Sequence, residues 1–194
     1  MTRASLSLVG LLAASGPLAA QAPAYTPADV HFMSGMISHH AQAVLMAGWA
    51  PTHGASPAVR LLCERIAISQ RDEIATMQRW LRDRHETVPE GEPLYDGMMP
   101  GMHGGMLMPG MLTGAQLAQL DSARGPDFDR LFLMFMIQHH QGALTMVDQL
   151  LHSPGAAQEG AVFRFAADVS ADQSVEIDRM SRMLAALPRA DTGP

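Results

Sequence analysis

The chain has 194 residues and a formal net charge of −6, and hydrophobic residues make up 47% of it. These values argue against a disordered chain, and an acidic composition whose basic residues are all arginine argues against nucleic acid as the main partner. The lone cysteine, Cys63, excludes an intramolecular disulfide and a cysteine-only zinc site. Methionine is unusually frequent, with 16 residues against 6 phenylalanines, so this chain favours thioether over aromatic side chains.

The first segment has the features of a secretory signal peptide. One basic residue, Arg3, precedes a run of small apolar residues up to Ala20, which is short and interrupted by Gly and Ser. Cleavage after Ala20 is expected because cleavage after Ala22 would place Pro23 first. We therefore expect residues 1–20 to be removed on export to a bacterial periplasm, with an uncleaved anchor as the alternative. Residues 21–194 are then expected to form one domain that does not enter the membrane.

The rest of the chain contains an internal repeat, with two matching segments in each half. Eight positions recur at an offset of 100 residues, and a second pair of segments matches at an offset of 103. The first set pairs Asp29, Phe32, Met36, Ile37, His39, His40, Ala43 and Met46 with Asp129, Phe132, Met136, Ile137, His139, His140, Ala143 and Met146. The second pairs Gln70, Glu73, Ile74 and Met77 with Gln173, Glu176, Ile177 and Met180. The repeats are expected at about 26–87 and 114–187, with a linker at about 88–113.

All four repeated segments are predicted to be helices. Apolar residues recur at alternating steps of three and four, and Thr26, Ser56 and Ser153 precede prolines as N-caps would. The third helix is expected to begin at Gly125. Because no segment shows strand alternation, the prediction is an all-α four-helix bundle of two helix hairpins joined by a long crossover rich in Met and Gly.

Polar side chains occupy several positions of the predicted helix seams. These are His39, Gln70, Glu73, His139, Gln173 and Glu176. Because burying an unpaired carboxylate or imidazole is costly, these groups must satisfy one another or bind a ligand. One interpretation is a metal-free Glu–His–Gln hydrogen-bonded layer that fixes helix register. The other is a metal site near the middle of the bundle, with the Glu and Gln residues orienting the histidines.

Methionines stand one helical turn from the paired histidines. Met36 precedes His39 by three residues and His40 by four, and the second repeat has the same arrangement in Met136, His139 and His140. Consecutive helical residues point about 100° apart, so adjacent histidines cannot easily share one ion. A thioether with an imidazole suits Cu(I), whereas Mg²⁺ and Ca²⁺ require oxygen. The other candidate ligands are Met46, Met77, Met146 and Met180, and His53, His85 and His152 are expected to be solvated at helix ends.

The linker supplies a separate set of soft donors. Residues 98–111 contain six methionines, four glycines and two prolines, so neither a stable helix nor a packed core element is expected there. Such a segment can wrap Cu(I) or Ag(I) through Met98, Met99, Met102, His103, Met106, Met108 and Met111. The alternative is a disordered spacer or a partner-binding loop.

The chain resembles the domain-of-unknown-function 305 family over about residues 26–187. The resemblance rests on two patterns, each present twice: Asp-x-x-Phe-x-x-x-Met-Ile-x-His-His-x-x-Ala-x-x-Met and Gln-x-x-Glu-Ile-x-x-Met. The resemblance implies a ferritin-like four-helix bundle, and CopM-type members of that family are periplasmic copper-binding proteins linked to copper resistance. It carries over onto the repeated Met, His, Gln and Glu positions named above. The expected function is therefore periplasmic Cu(I) binding for tolerance, storage or delivery, and a homo-oligomer or a copper-transfer partner stays open.

The principal alternative is a ferritin-like oxidoreductase with two iron or manganese ions. Such sites use Glu-x-x-His on two helices, whereas Thr76 follows Glu73 by three residues and Arg179 follows Glu176 by three. A variant site that combines these two glutamates with His39 and His139 stays open. Since the chain also lacks a Gly-x-Ser-x-Gly nucleophile motif, a non-enzymatic function is expected.

Overall fold

A computed structural model of the protein describes residues 25–92 and 107–188. Its helices are α1 (Pro27–Gly48), α2 (Pro57–Asp83), α3 (Gly114–Ser122), α4 (Gly125–His152) and α5 (Gly160–Ala186). α1 packs on α2, α4 packs on α5, and α1 and α4 join the two hairpins. The four long helices confirm the predicted all-α bundle, and no helix of the described residues is long and apolar enough to cross a membrane. The predicted signal peptide lies outside the described residues.

Local sequence explains where the helices begin. Thr26 caps α1, since its side chain accepts a hydrogen bond from the Asp29 N–H and its own N–H donates to the Asp29 carboxylate. Ser56 caps α2, and α4 begins at Gly125 as predicted. The prediction that Ser153 opens the last helix is wrong, because Ser153 ends α4 and a loop intervenes before α5.

The short helix α3 is absent from the prediction. Thr113 and Gln116 form a capping box at its start, but nine residues are too few for a helical period to stand out. This helix contacts His53, whose Nε2 lies 2.9 Å from the Asp121 carbonyl oxygen and 3.0 Å from a carboxylate oxygen of the same residue. The expectation that His53 is solvated is therefore wrong, since it is only 5% exposed.

Two repeated aspartates tie the hairpins together. Asp29 on α1 accepts a hydrogen bond of 2.7 Å from the Ala157 N–H, in the loop before α5. Asp129 on α4 accepts one of 3.1 Å from the Ser56 N–H, at the start of α2. Both carboxylates are buried. Each repeat thereby positions the start of the other repeat's second helix.

The apolar core consists of two clusters. The Phe32 cluster contains Met36, Met77 and Met146, and the Phe128 cluster contains Met46, Met136 and Met180. α1 passes from the first cluster to the second between Ile37 and Ala43, and α4 passes back between Met136 and Ala143. The boundary between the clusters is a polar layer made of His39, His40, Gln70, Glu73, His139, His140, Gln173 and Glu176.

Candidate metal centre

The four histidines of the polar layer are completely buried, each with 0% exposure. α1 and α4 bring the inner histidines, His39 and His139, into contact with ring centroids 3.8 Å apart. The outer histidines, His40 and His140, have centroids 6.2 Å from those of their inner neighbours. The seam pattern places only the inner pair in the core, so burial of the outer pair is a feature that the sequence analysis missed.

The outer histidines are held by the repeated glutamates. His40 Nε2 lies 2.5 Å from a carboxylate oxygen of Glu73, and His140 Nε2 lies 2.6 Å from one of Glu176. Each pair joins the two helices of one hairpin. Because a carboxylate only accepts hydrogen bonds, a neutral imidazole in this position carries its proton on Nε2 and its lone pair on Nδ1.

The inner histidines have the same orientation for a different reason. His39 donates through Nε2 to the Pro109 carbonyl oxygen at 3.1 Å, and His139 donates to the His39 carbonyl oxygen at 3.0 Å. Burial, with a smaller contribution from the neighbouring His40, lowers the pKa of His39 to about 3. Burial, together with the nearby His39, also holds the pKa of His139 well below its usual value. Both imidazoles are therefore neutral at neutral pH, as metal ligation requires.

Seven buried side-chain nitrogen and oxygen atoms among the described residues have no hydrogen-bond partner, and all seven belong to the polar layer. They are Nδ1 of His39, His40, His139 and His140, both amide atoms of Gln70, and Oε1 of Gln173. Each such atom costs about 1–3 kcal/mol when it is left unpaired. A layer that only fixed helix register would leave this cost uncompensated, whereas an imidazole lone pair can be satisfied by a metal that other donors help to hold.

Carboxylates do not complete a metal site here. Within residues 25–92 and 107–188, no three His, Cys, Asp or Glu side chains meet where they could hold an ion. Glu73 and Glu176 bond to the outer histidines instead of meeting His39 and His139. Burial also raises the pKa of the Cys63 thiol to about 12, so this residue does not offer a thiolate at neutral pH. In this arrangement the available additional donors are methionine sulfur atoms.

Every helix methionine that was predicted to be a ligand is buried in one of the two apolar clusters that border the polar layer. Met36, Met77 and Met146 lie in the cluster on one side, and Met46, Met136 and Met180 lie in the cluster on the other. Each set takes one methionine from each of three helices and draws on both repeats. The repeat pattern identifies these residues, but their grouping depends on how α1 and α4 pack.

The end of the methionine-rich linker packs directly on the site. The Leu112 N–H donates a hydrogen bond of 2.7 Å to the Gln42 side-chain oxygen, and the Gln42 amide nitrogen donates one of 3.1 Å to the Leu112 carbonyl oxygen. A Cβ atom at Gly142 would lie 2.0 Å from the Pro109 oxygen, so only glycine permits this approach. Met111 is 5% exposed, so the expectation of no packed element is wrong for the end of residues 98–111. The remaining predicted linker donors, Met98, Met99, Met102, His103 and Met106, lie outside the described residues.

The family model of the domain of unknown function DUF305 matches residues 29–184. This chain belongs to the DUF305 family. A DUF305 fragment from Deinococcus radiodurans has a similar solved structure, with 32% identity and a TM-score of 0.70 over 85% of this chain and 100% of that chain. A candidate secreted DUF305 protein from Streptomyces coelicolor has 29% identity and a TM-score of 0.69 over 84% of this chain and 94% of that chain.

The Cu(I)-bound form of CopM also has this fold. It shares 26% identity with the DUF305 chain described here, with a TM-score of 0.62 over 81% of this chain and 95% of that chain. CopM has further solved structures with Cu(II) and with Ag. Among curated proteins, an uncharacterised protein of Acanthamoeba polyphaga mimivirus is 36% identical over 56 residues, and the match spans 37% of that protein. Similarity to CopM supports a metal-binding role for the fold.

Proposed function

We propose that this DUF305 protein binds copper as Cu(I) in a bacterial periplasm, for copper tolerance, storage or delivery. The observation that carries the proposal is the set of four buried imidazoles whose Nδ1 atoms are unpaired, bordered on both sides by buried methionines. Neutral imidazole and thioether form a donor set that suits Cu(I). The Cu(I)-bound form of CopM, with the same fold, supports this choice of metal.

The proposed ligands are the same in the two repeats. Met36 acts with His39 or His40, and the second repeat supplies Met136, His139 and His140. Met46, Met77, Met146 and Met180 are the additional sulfur donors, and Gln70, Glu73, Gln173 and Glu176 are the residues that support the histidines. The other linker donors, Met98, Met99, Met102, His103 and Met106, form a weaker second tier, because ordering a Gly-rich segment costs conformational entropy.

Replacement of Met36 and Met136 by Leu tests the helix ligands. The two thioethers disappear while side-chain volume is nearly conserved, so the loss of stability is expected to stay below about 1.5 kcal/mol per site. Cu(I) affinity, measured by competition with a chromogenic chelator, is expected to fall by about tenfold or more. Met33→Leu is the matched control, since Met33 is 1% exposed on the same helix and its repeat counterpart is Leu133. Unchanged affinity in the double variant would refute the ligand assignment.

Replacement of Glu73 and Glu176 by Gln separates copper from the iron or manganese alternative. The carboxamide oxygen can still accept the hydrogen bond from Nε2, so Cu(I) affinity is expected to fall by no more than about 10- to 100-fold. A site that used these carboxylates as ligands would lose its iron or manganese. Elemental analysis measures the metal content of the unaltered protein and of the variant, each purified from the native periplasm. The copper proposal is contradicted if the unaltered protein contains iron or manganese and the variant with both Gln replacements has lost it.

Export by a signal peptide cleaved after Ala20 is part of the proposal. The intact mass of the periplasmic protein is then expected to correspond to a chain that begins at Gln21. A chain that retains Met1 and fractionates with the cytoplasm contradicts this assignment.

A further inference from the structure

A further group of soft donors, which shares Met146 with the ligands proposed above, lies at the surface beside the Phe32 cluster. His31, Met108 and Met146 line one cavity of about 100 Å³ between the first turns of α1, the end of the linker and the last turns of α4. We propose that this cavity, here named the Gly35 site, binds a single Cu(I) ion through the His31 imidazole and the two methionine sulfur atoms. The inference rests on the proposed function for its choice of metal.

Gly35 allows the two methionines to approach the same point of α1. A Cβ atom at Gly35 would lie 3.0 Å from the sulfur of Met108 and 3.6 Å from the terminal methyl of Met146. His31 stands four residues before Gly35, so its side chain leaves α1 one turn away on the same face. Three donors from three segments of the chain therefore line one cavity beside α1.

The lining of the cavity selects for a soft ion. Its other polar side chains are those of Gln149 and Ser153, and no carboxylate is among the lining residues. Hard cations such as Mg²⁺ and Ca²⁺ need several oxygen ligands, whereas Cu(I) and Ag(I) accept imidazole with thioethers. His31 is exposed and Met108 is half-buried, so an ion reaches these donors directly from solvent. The buried polar layer does not offer such access.

The site occurs in one repeat only. The positions that correspond to His31, Gly35 and Met146 are occupied by Leu131, Phe135 and Met46. A leucine removes the imidazole and a phenylalanine fills the space that Gly35 leaves free. A stoichiometry of one ion is therefore expected at this surface, in contrast to the paired donors of the polar layer.

The test is an Ag(I) titration of the full chain labelled with ¹³C at the methionine methyl groups. Ag(I) has the donor preference of Cu(I) and needs no reductant. The Met108 and Met146 signals are expected to shift together, with one shared midpoint that reports a single ion, while Met134, which is 47% exposed and outside the cavity, does not move. If Met108 and Met146 do not shift, or saturate without His31 taking part, the site is refuted.

Two variants and one control complete the test. His31→Gln is expected to weaken the Ag(I) response of Met108 and Met146 at least tenfold, and Gly35→Ala to weaken it by displacing the Met108 sulfur while α1 stays helical. His152→Gln, at an exposed histidine of α4, is expected to change nothing, and an equal loss in this control would overturn the assignment. The Met36 and Met136 signals report the polar layer in the same spectra. If the Met36 and Met136 signals do not respond while those of Met108 and Met146 do, the proposed function is refuted and the Gly35 site stands. If the Met36 and Met136 signals respond while those of Met108 and Met146 do not, the Gly35 site alone is refuted.

Discussion

The direction of four hydrogen bonds determines the chemistry of the polar layer. Each histidine donates through Nε2 to an oxygen that only accepts, namely a carboxylate for the outer pair and a backbone carbonyl for the inner pair. In its neutral form, each of these imidazoles therefore presents Nδ1 as the atom with the lone pair. The same partners orient each ring, so a metal would meet donors that are already fixed in place.

The low pKa of the inner histidines predicts acid sensitivity of the metal-free protein. An unfolded histidine takes up its proton near pH 6.5, whereas folded His39 does so only at about pH 3, so the unfolded state binds more protons between these values. The free energy of unfolding is then expected to fall as the pH drops below 6.5, with a slope approaching about 1.4 kcal/mol per pH unit for each inner histidine.

Urea unfolding of the metal-free protein between about pH 7 and pH 5 measures this slope, since most carboxylates stay ionised in that range. His152→Gln is the control and is expected to keep the slope, because His152 is exposed. A free energy of unfolding that does not change over this range would contradict the neutral, buried state of the inner histidines.

Part of this site was predictable from residue types and spacing. The repeated Met and His positions, one turn apart, indicated soft donors, and the repeated glutamates indicated support for the histidines. The burial of His40 was not predictable, because it depends on a contact with Glu73 on a different helix. The Pro109 carbonyl was missed for the same reason, since only the packing of the linker brings it to His39.

At the scale of elements, the linker end acts as a clamp across α1 and α4. Gly142 lets the chain at Pro109 and Gly110 touch the backbone of α4, and the Gln42 side chain fixes Leu112 to α1. The carbonyl that holds His39 belongs to this clamp. The hydrogen bond that orients His39 therefore depends on a segment that contributes no long helix.

Gly142→Ala is expected to open this clamp. The added methyl would lie 2.0 Å from the Pro109 oxygen and 2.5 Å from Gly110 Cα, so backbone must move and the free energy of unfolding falls by about 1–3 kcal/mol. Gly48→Ala is the matched control, because nothing lies within 4 Å of its Cβ position and alanine favours a helix. Chemical denaturation measures both changes, and the His39 imidazole signals report the loss of the Pro109 hydrogen bond. Equal stability of the two variants would contradict the clamp.

Helix existence was easier to predict than helix connection. Thr26, Ser56 and the Gly125–Pro126 start each carry their own local signal, and the structure uses all three. Ser153 carries the same signal but ends a helix, because the chain before α5 is held elsewhere by the Asp29 carboxylate. A cap motif specifies a favourable start, and tertiary contacts decide whether it is used.

At the scale of the whole molecule, the two repeats are interlocked rather than merely adjacent. Asp29 and Asp129 each accept a hydrogen bond from the opposite repeat. The Phe32 cluster and the Phe128 cluster each contain methionines from both repeats. The offset of 100 residues revealed the duplication but not this exchange, because a repeat pattern contains no information about which copy supplies a contact. Neither hairpin alone contains the complete set of groups around the polar layer.

The interlock predicts unequal effects at the two equivalent aspartates. One carboxylate oxygen of Asp29 accepts a hydrogen bond from the Ala157 N–H, and the other accepts one from the Thr26 N–H. In Asp129, both oxygens accept from the single Ser56 N–H. Asp29→Asn must therefore turn an amide N–H towards a donor, and a loss of about 1.5–3 kcal/mol in the free energy of unfolding is expected. Asp129→Asn keeps one oxygen for its single partner, so its loss is expected to be smaller.

Urea denaturation of the two variants measures this difference. Asp148→Asn serves as the control, since Asp148 has a side chain that is 71% exposed and is expected to change stability by less than about 0.5 kcal/mol. A single transition with an unchanged dependence on urea is expected in all three, because the two hairpins unfold together. A larger loss for Asp129→Asn than for Asp29→Asn would contradict the hydrogen-bond assignment. Two separate transitions would show that the hairpins are independent units, so the reciprocal contacts would not be what makes folding of the bundle cooperative.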